Sequence, residues 1–189
     1  MEQEGQPLVP IDPFKLVARV KDRGPAPLHL WDPPFCGDID IRIAKDGTWF
    51  HEGRPIRRQA MVKLFSTILM TDDSGEFFLI TPVEKVRIQV EDCPFVANQM
   101  NITQRGGQQQ IVFTTNFGET LVVDTDHPIV VTNTNLSSEP HPTVHVRNGL
   151  EALINRPVFY RLVELAVNNA SNELGVWSEG KFFSLGKAE

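Results

Sequence analysis

The sequence predicts an α+β fold in which a hairpin-helix-strand unit is written twice, with a central antiparallel β meander between the copies. Three observations carry this. IAKDGTWFHEGRPI, residues 43–56, aligns without a gap on HVRNGLEALINRPV, residues 145–158, so that Gly47, Arg54 and Pro55 meet Gly149, Arg156 and Pro157 at an offset of 102. After each copy the apolar residues recur with the 3.6-residue period of an amphipathic helix. Between the copies, runs rich in β-branched residues alternate with Gly, Asn and Pro turn signals.

Taken in order, half of the 14 prolines precede Gly37, which makes residues 1–35 an extended proline-rich arm. One short helix interrupts it, with Asp12 as N-cap, Pro13 at the first helical position and Phe14, Val17 and Val20 as an apolar stripe. The alternation in IDIRI and TWFHE around Asp46-Gly47 predicts a β-hairpin. Pro55 then opens a helix that turns Ile56, Ala60, Met61, Leu64, Phe65, Ile68 and Leu69 to the core, and TDDSG stops it before the strand EFFLITP. These elements form a first small α+β domain over residues 36–82.

The runs EKVRIQVE, FVANQMNIT, QQQIVFTT, ETLVVD and PIVVTN form the meander, read as a strongly bent sheet or a small half-barrel. Residues 83–189 are therefore a β-rich domain that closes with the second hairpin and its helix. Carrying the offset of 102 through the helix places Ile56, Ala60, Met61, Leu64, Phe65 and Ile68 on Val158, Leu162, Val163, Ala166, Val167 and Ala170, all apolar. A three-residue insertion then brings GEFF, residues 75–78, onto GKFF, residues 180–183. A hairpin with one amphipathic helix cannot bury its apolar face alone, so the two units are expected to stack or complete neighbouring sheets.

Composition excludes several function classes. At 189 residues the chain is long enough to bury a core without disulfide or metal staples. A net charge of -6 repels a polyphosphate backbone, so no nucleic-acid partner is expected. No apolar run approaches the roughly 18 residues of a spanning helix, which argues against membrane insertion. The opening MEQEGQPLVPIDP carries acids where a secretory signal carries bases, and a cytoplasmic location is expected. Cys36 and Cys93 stand in no paired spacing and read as two reduced thiols.

The chemistry-bearing motifs are equally spare. No phosphate loop, dinucleotide fingerprint or nucleophile elbow is present, and acid pairs such as Asp72-Asp73 and Asp124/Asp126 fall in turns, so the reading is non-enzymatic with no cofactor. His141 and His145 are four apart in a strand-like run, which sets them about 13 Å apart on one face, too far for one ion. His127, with Asp124 or Asp126 nearby, reads as a strand end with a bonded imidazole, and no metal site is assigned.

RNGLEALINRPVFYRLVELA, GVWSEGKFF, TNFGE, DHP at 126–128 and GTWFHEGRPI together resemble the bacterial domain of unknown function family 1285, over a span of roughly residues 30–187. The resemblance brings no established activity. It implies a duplicated α+β core, a C-terminal part similar to pleckstrin-homology-like folds, a role in signal transduction and a nucleotide-like ligand at the interface between repeats.

With that implication, a ligand set can be named. Arg54 and Arg156 occupy the same slot before a proline; either each fork ties down a turn, or both meet an anionic ligand. Arg57 lies in the sector of Ala60, Met61 and Leu64, where a charge needs a partner: an acid such as Glu151 or Glu164, or the ligand. Arg58 lies on the helix flank. Trp49 and Trp177 either pack in the core or stack on a purine, and Ser178 stands beside Trp177. The candidate binding residues are Trp49, His51, Arg54, Arg57, Arg58, Arg147, Glu151, Arg156, Trp177 and Ser178. The alternative function is a pleckstrin-homology-like scaffold whose sheet edge or groove takes a peptide or protein partner.

Overall fold

A computed structural model describes residues 26–133 and 139–187 of the chain. The arm helix expected at Asp12–Val20 lies outside the described residues. The chain divides into two compact units, one running through Ile43 and from Thr48 to Val90, the other holding Ala44–Gly47 and everything from Glu91.

In the first unit a single six-stranded sheet has the order β3-β2-β1-β6-β5-β4, with β1 (Phe35–Ile43), β2 (Trp49–His51), β3 (Arg54–Pro55), β4 (Leu69–Thr71), β5 (Phe77–Ile80) and β6 (Lys85–Val90). The hairpin expected around Asp46-Gly47 is present, with Ile41 opposite His51 and Ile43 opposite Trp49. Ile39, Ile41 and Ile43 are buried while Asp40 is exposed, the alternation of a strand with one face on a core. β6 joins β1 in parallel and β5 antiparallel, so the first unit extends past the division at Pro82 expected from the sequence.

The helix does not begin at Pro55. Glu52 and Gly53 both take positive φ, 49° and 72°, the geometry of a two-residue primed turn, and the chain folds straight back. Arg54 and Pro55 then pair with His51 and Phe50, and the Ile56 amide bonds the Trp49 carbonyl. β3 ends the sheet order, where a proline's missing N–H is tolerated. Helix α1 starts only at Gln59 and runs to Thr67, burying Met61, Val62, Phe65 and Ser66. Its inward face is therefore rotated from the expected one: Ala60 is exposed and Leu64 half-buried.

The expected meander is divided: EKVRIQVE is β6 of the first unit, while the other four runs share with the second hairpin a six-stranded sheet of the second unit, of order β10-β11-β12-β7-β8-β9, and β13-β14-β15 form a three-stranded sheet. The strands are β7 (Phe95–Arg105), β8 (Gln108–Thr115), β9 (Thr120–Val122), β10 (Ile129–Asn133), β11 (Pro140–Arg147), β12 (Leu150–Ile154), β13 (Val167–Asn168), β14 (Glu173–Ser178) and β15 (Lys181–Lys187). β12 pairs with β7 in parallel; the other ladders of these two sheets are antiparallel. Helix α2 (Arg156–Glu164) follows β12 directly, started by Asn155, whose side chain accepts from the Val158 amide at 3.1 Å.

The duplication is present, in a different register. The hairpin turns Asp46-Gly47 and Asn148-Gly149 keep the offset of 102, yet α1 begins at Gln59 and α2 at Arg156, an offset of 97. Buried Met61, Val62 and Phe65 accordingly match Val158, Phe159 and Leu162. After the helices the same offset persists: Asp72 Oδ1 accepts from the amides of Ser74 and Glu76 at 3.0 Å, and Asn169 Oδ1 from those of Ser171 and Glu173 at 2.9 Å. Leu79 faces Val86 just as Val176 faces Phe183. GEFF and GKFF are thus not equivalent, since Gly75 turns β4 into β5 whereas Gly180 turns β14 into β15. The Arg-Pro match is likewise coincidental, because Arg54-Pro55 is an edge strand and Arg156-Pro157 the first turn of a helix. Of the positions expected to face the core in the second helix, Val163, Val167 and Ala170 are exposed.

Candidate functional site

Where β12 runs into α2, the second unit holds a cavity of about 440 Å³. Its apolar lining is Leu153 and Ile154 from the end of β12 and Phe159 from the first turns of α2; its polar lining includes Lys45, Asp92, His141, Asn155, Arg156 and Tyr160. The sequence places them there by simple means. A strand that ends in an N-cap asparagine passes its last side chains and the helix's first ones to one spot. Antiparallel pairing brings the start of β11, with His141, alongside.

Arg156 bonds Glu139 at 2.6 Å, and both side chains are largely exposed. Such a pair contributes about 0–1 kcal/mol, so an incoming anion competes for the guanidinium at little cost. Tyr160 is 62% exposed and presents its ring at the same opening.

On the cavity wall His141 Nε2 lies 2.8 Å from Asp92 Oδ1. The Cys93 thiol donates to the same Oδ1 at 3.6 Å and is buried. The donor atoms of Asp92, Cys93 and His141 all lie within 4.8 Å of one another. Burial raises the Cys93 thiol well above the ordinary range, and the negative charges of Asp92 and Glu151 raise it further.

The sequence-derived candidates are dispersed, and of them only Arg156 lines this cavity. In the first unit Trp49 is a core residue, 1% exposed and stacked on Phe65 with ring centroids 5.9 Å apart. That burial corrects the purine-stacking alternative. His51 and Arg54 face each other across β2 and β3. Arg57 lies ahead of α1, exposed, so it is not a charge in an apolar sector; Arg58 occupies the N-cap position without capping through its side chain.

In the second unit Arg147 bonds the Glu119 carboxylate and lies over the Phe95 ring at 5.1 Å, a structural tie. Glu151 faces His145 across the β11–β12 ladder. Trp177 is 48% exposed and packs edge-on against Phe182. Ser178 is fully buried, its hydroxyl accepting from the Ile111 amide at 3.0 Å, which removes it from any ligand. Gln109 and Glu179 add bonds on either side, so this patch stitches β14 to β8.

His127 and His145 have structural partners. His127 Nδ1 bonds the His145 carbonyl at 3.0 Å, and Asp124 accepts from the amides of Asp126 and His127, the bonded imidazole that the sequence suggested. His145 Nδ1 meets the Asp126 carbonyl while its Nε2 accepts from the Gly149 amide. A second cavity, in the first unit, is lined by Arg87, but that guanidinium is bound by Asp38 at 2.7 and 3.0 Å and by Glu76 at 2.6 Å. The hydrogen bond from Arg87 holds Asp38 below the usual carboxylate range, and the two carboxylates leave Arg87 little capacity for another anion.

The comparisons agree on one family. A model described as the N-terminal domain of a domain of unknown function, DUF1285, matches residues 26–93, and the C-terminal domain of the same family matches residues 94–185. The crystal structure of a DUF1285 family protein from Silicibacter pomeroyi DSS-3 is similar at 48% identity with a TM-score of 0.87, covering 93% of this chain and 95% of that one. A DUF1285 family protein from Shewanella baltica OS155 is similar at 26% identity with a TM-score of 0.51, covering 66% of this chain and 90% of that one. No curated protein matches.

Proposed function

The chain belongs to the DUF1285 family, and from that premise we propose a non-enzymatic regulatory module that binds a small anionic, nucleotide-like ligand in the cavity between β12 and α2. The observation that carries this reading is the lining: Arg156, Lys45 and Tyr160 stand beside the apolar Leu153, Ile154 and Phe159, with the carboxylates of the same lining, Glu139 and Asp92, bonded to Arg156 and His141. A phosphate or carboxylate meets the guanidinium fork, and a ring lies on the apolar side chains. Occupancy reported to a partner makes it a signal-transduction element. Among the described residues no helix is long and apolar enough to cross a membrane, and both cysteines are free thiols, in keeping with a reducing cytoplasm.

The test is a thermal-shift screen against nucleotides and phosphorylated metabolites. A ligand at 100 times its dissociation constant stabilises the fold by about 2.7 kcal/mol. The shift should shrink in Arg156→Ala and Lys45→Ala. A shift that both variants keep in full moves the ligand elsewhere.

One observation favours a second reading, a pleckstrin-homology-like scaffold for a peptide. β10 ends the order of its sheet, with β15 beside it, and carries Val130, 44% exposed, an apolar side chain that a peptide is able to cover. Capture of a protein partner that is lost in Val130→Lys, with no small-molecule shift, selects it.

A further inference from the structure

We propose that Asp92, Cys93 and His141 form a binding site for a single borderline-soft divalent metal, zinc foremost, on the wall of the β12–α2 cavity. The inference does not rest on the anionic ligand proposed above, because the three donors make a site whether or not that ligand binds.

The donor chemistry is the first argument. A carboxylate oxygen, a thiol sulfur and an imidazole nitrogen are the three protein ligand types that zinc takes, whereas magnesium and calcium select oxygen alone. Ligand atoms bound 2.0–2.3 Å from one tetrahedral ion stand roughly 3.3–3.8 Å apart. Here the oxygen–nitrogen separation is 2.8 Å, the sulfur–oxygen separation 3.6 Å and every pair is within 4.8 Å, so small side-chain rotations admit the ion.

The coordination chemistry is the second argument. A dication binds the thiolate, the thiol proton leaving to solvent, and the imidazole coordinates through its unprotonated Nε2 while Asp92 supplies a carboxylate oxygen.

The cavity is the third. Asp92 and His141 line it, so three protein donors on one side leave a coordination position facing open space, the arrangement in which zinc keeps water or an exchangeable ligand. The donors come from two segments 49 positions apart, which is why no spacing motif announces them.

The test is titration of cobalt(II) into the full chain, freed of metal by a chelator, followed by optical absorption. One equivalent should give intense tetrahedral d–d bands and a thiolate-to-cobalt charge-transfer band, displaced by zinc. The chain has two cysteines, so Cys36→Ser leaves Cys93 as the only thiol, and the band must persist there. Cys93→Ser should abolish it, and His141→Gln should weaken cobalt binding by more than about tenfold. A folded chain that gives no charge-transfer band, or a band that vanishes in Cys36→Ser, overturns the site. Both readouts are independent of nucleotide binding, so failure here leaves the anion proposal standing, and the reverse.

Discussion

The Cys93 thiol and the Asp92 carboxylate are neighbours in the chain and in space, with Sγ donating to Oδ1 at 3.6 Å, and that carboxylate's other partner is His141 Nε2 at 2.8 Å. Burial is the larger influence on the thiol and the Asp92 charge the next. Asp92→Asn removes only the charge, so in metal-free protein the thiol should titrate lower than in the wild type while burial still keeps it elevated. Thiolate absorbance followed against pH in a Cys36→Ser background measures this. An unchanged or higher midpoint would show that burial acts alone.

Asp72 and Asn169 perform the same turn in the two copies, one as an acid and one as an amide. The Ser74 hydroxyl is the largest cause holding Asp72 below the usual carboxylate pKa, helped by the Glu76 and Ser74 amides. A depressed carboxylate contributes stability above its unfolded pKa of about 3.9, and this is lost as pH falls through the folded value. Asp72→Asn keeps the acceptor and removes the titration. Its stability should fall less than that of the wild type on acidification below that pH, with little change near neutrality. Urea midpoints across the acid range provide the check.

Phe65→Ala removes the ring against which Trp49 stacks in the first unit's core. The expected loss is about 3–5 kcal/mol, the range for a buried Phe→Ala change. Chemical denaturation reads the loss, and the Trp49 emission should move to the red in whatever native state survives. A loss below 1 kcal/mol would place Trp49 outside a packed core.

Ser178→Ala takes away the acceptor of the Ile111 amide where no water reaches it. Leaving one buried donor unpaired costs about 1–3 kcal/mol. Faster hydrogen exchange at Ile111, with binding of any cavity ligand unchanged, distinguishes this stitching role from a ligand contact.

Much of the fold is legible in the sequence because strands and primed turns are local. IDIRI alternates, and Asn148-Gly149 marks a turn by its backbone preference alone. The helix register is not, because Pro55 is compatible both with a helix start and with an edge strand. The Glu52-Gly53 turn decides between them through pairing that only the folded chain displays. The same ambiguity reaches Arg57, which would face inward only on a helix that begins at Pro55, whereas the helix begins at Gln59. Arg156 lines the cavity, although the match to Arg54 that singled it out is not shared by the fold. Asp92, Cys93 and His141 were not legible, since their relation depends on how β11 aligns beside the segment that leads into β7.

The two parallel ladders bear on how the chain comes to fold. Asp38 meets Arg87 in the first unit, and Phe95 meets Ala152 in the second, whereas the hairpin ladders join segments close in sequence. Closing a long loop loses chain entropy before any contact compensates it, so such pairings form late and slowly. Each unit therefore has one late zipper. In the second, β7 and β8 are complete on the nascent chain before β12 is synthesised, a ready template for the hairpin that carries the cavity. In the first, β1 waits for β6, the last strand of its own unit. Mutations in the Gly106-Gly107 and Glu179-Gly180 turns, which form early, should slow refolding, while those along the late β1–β6 and β7–β12 ladders should chiefly speed unfolding.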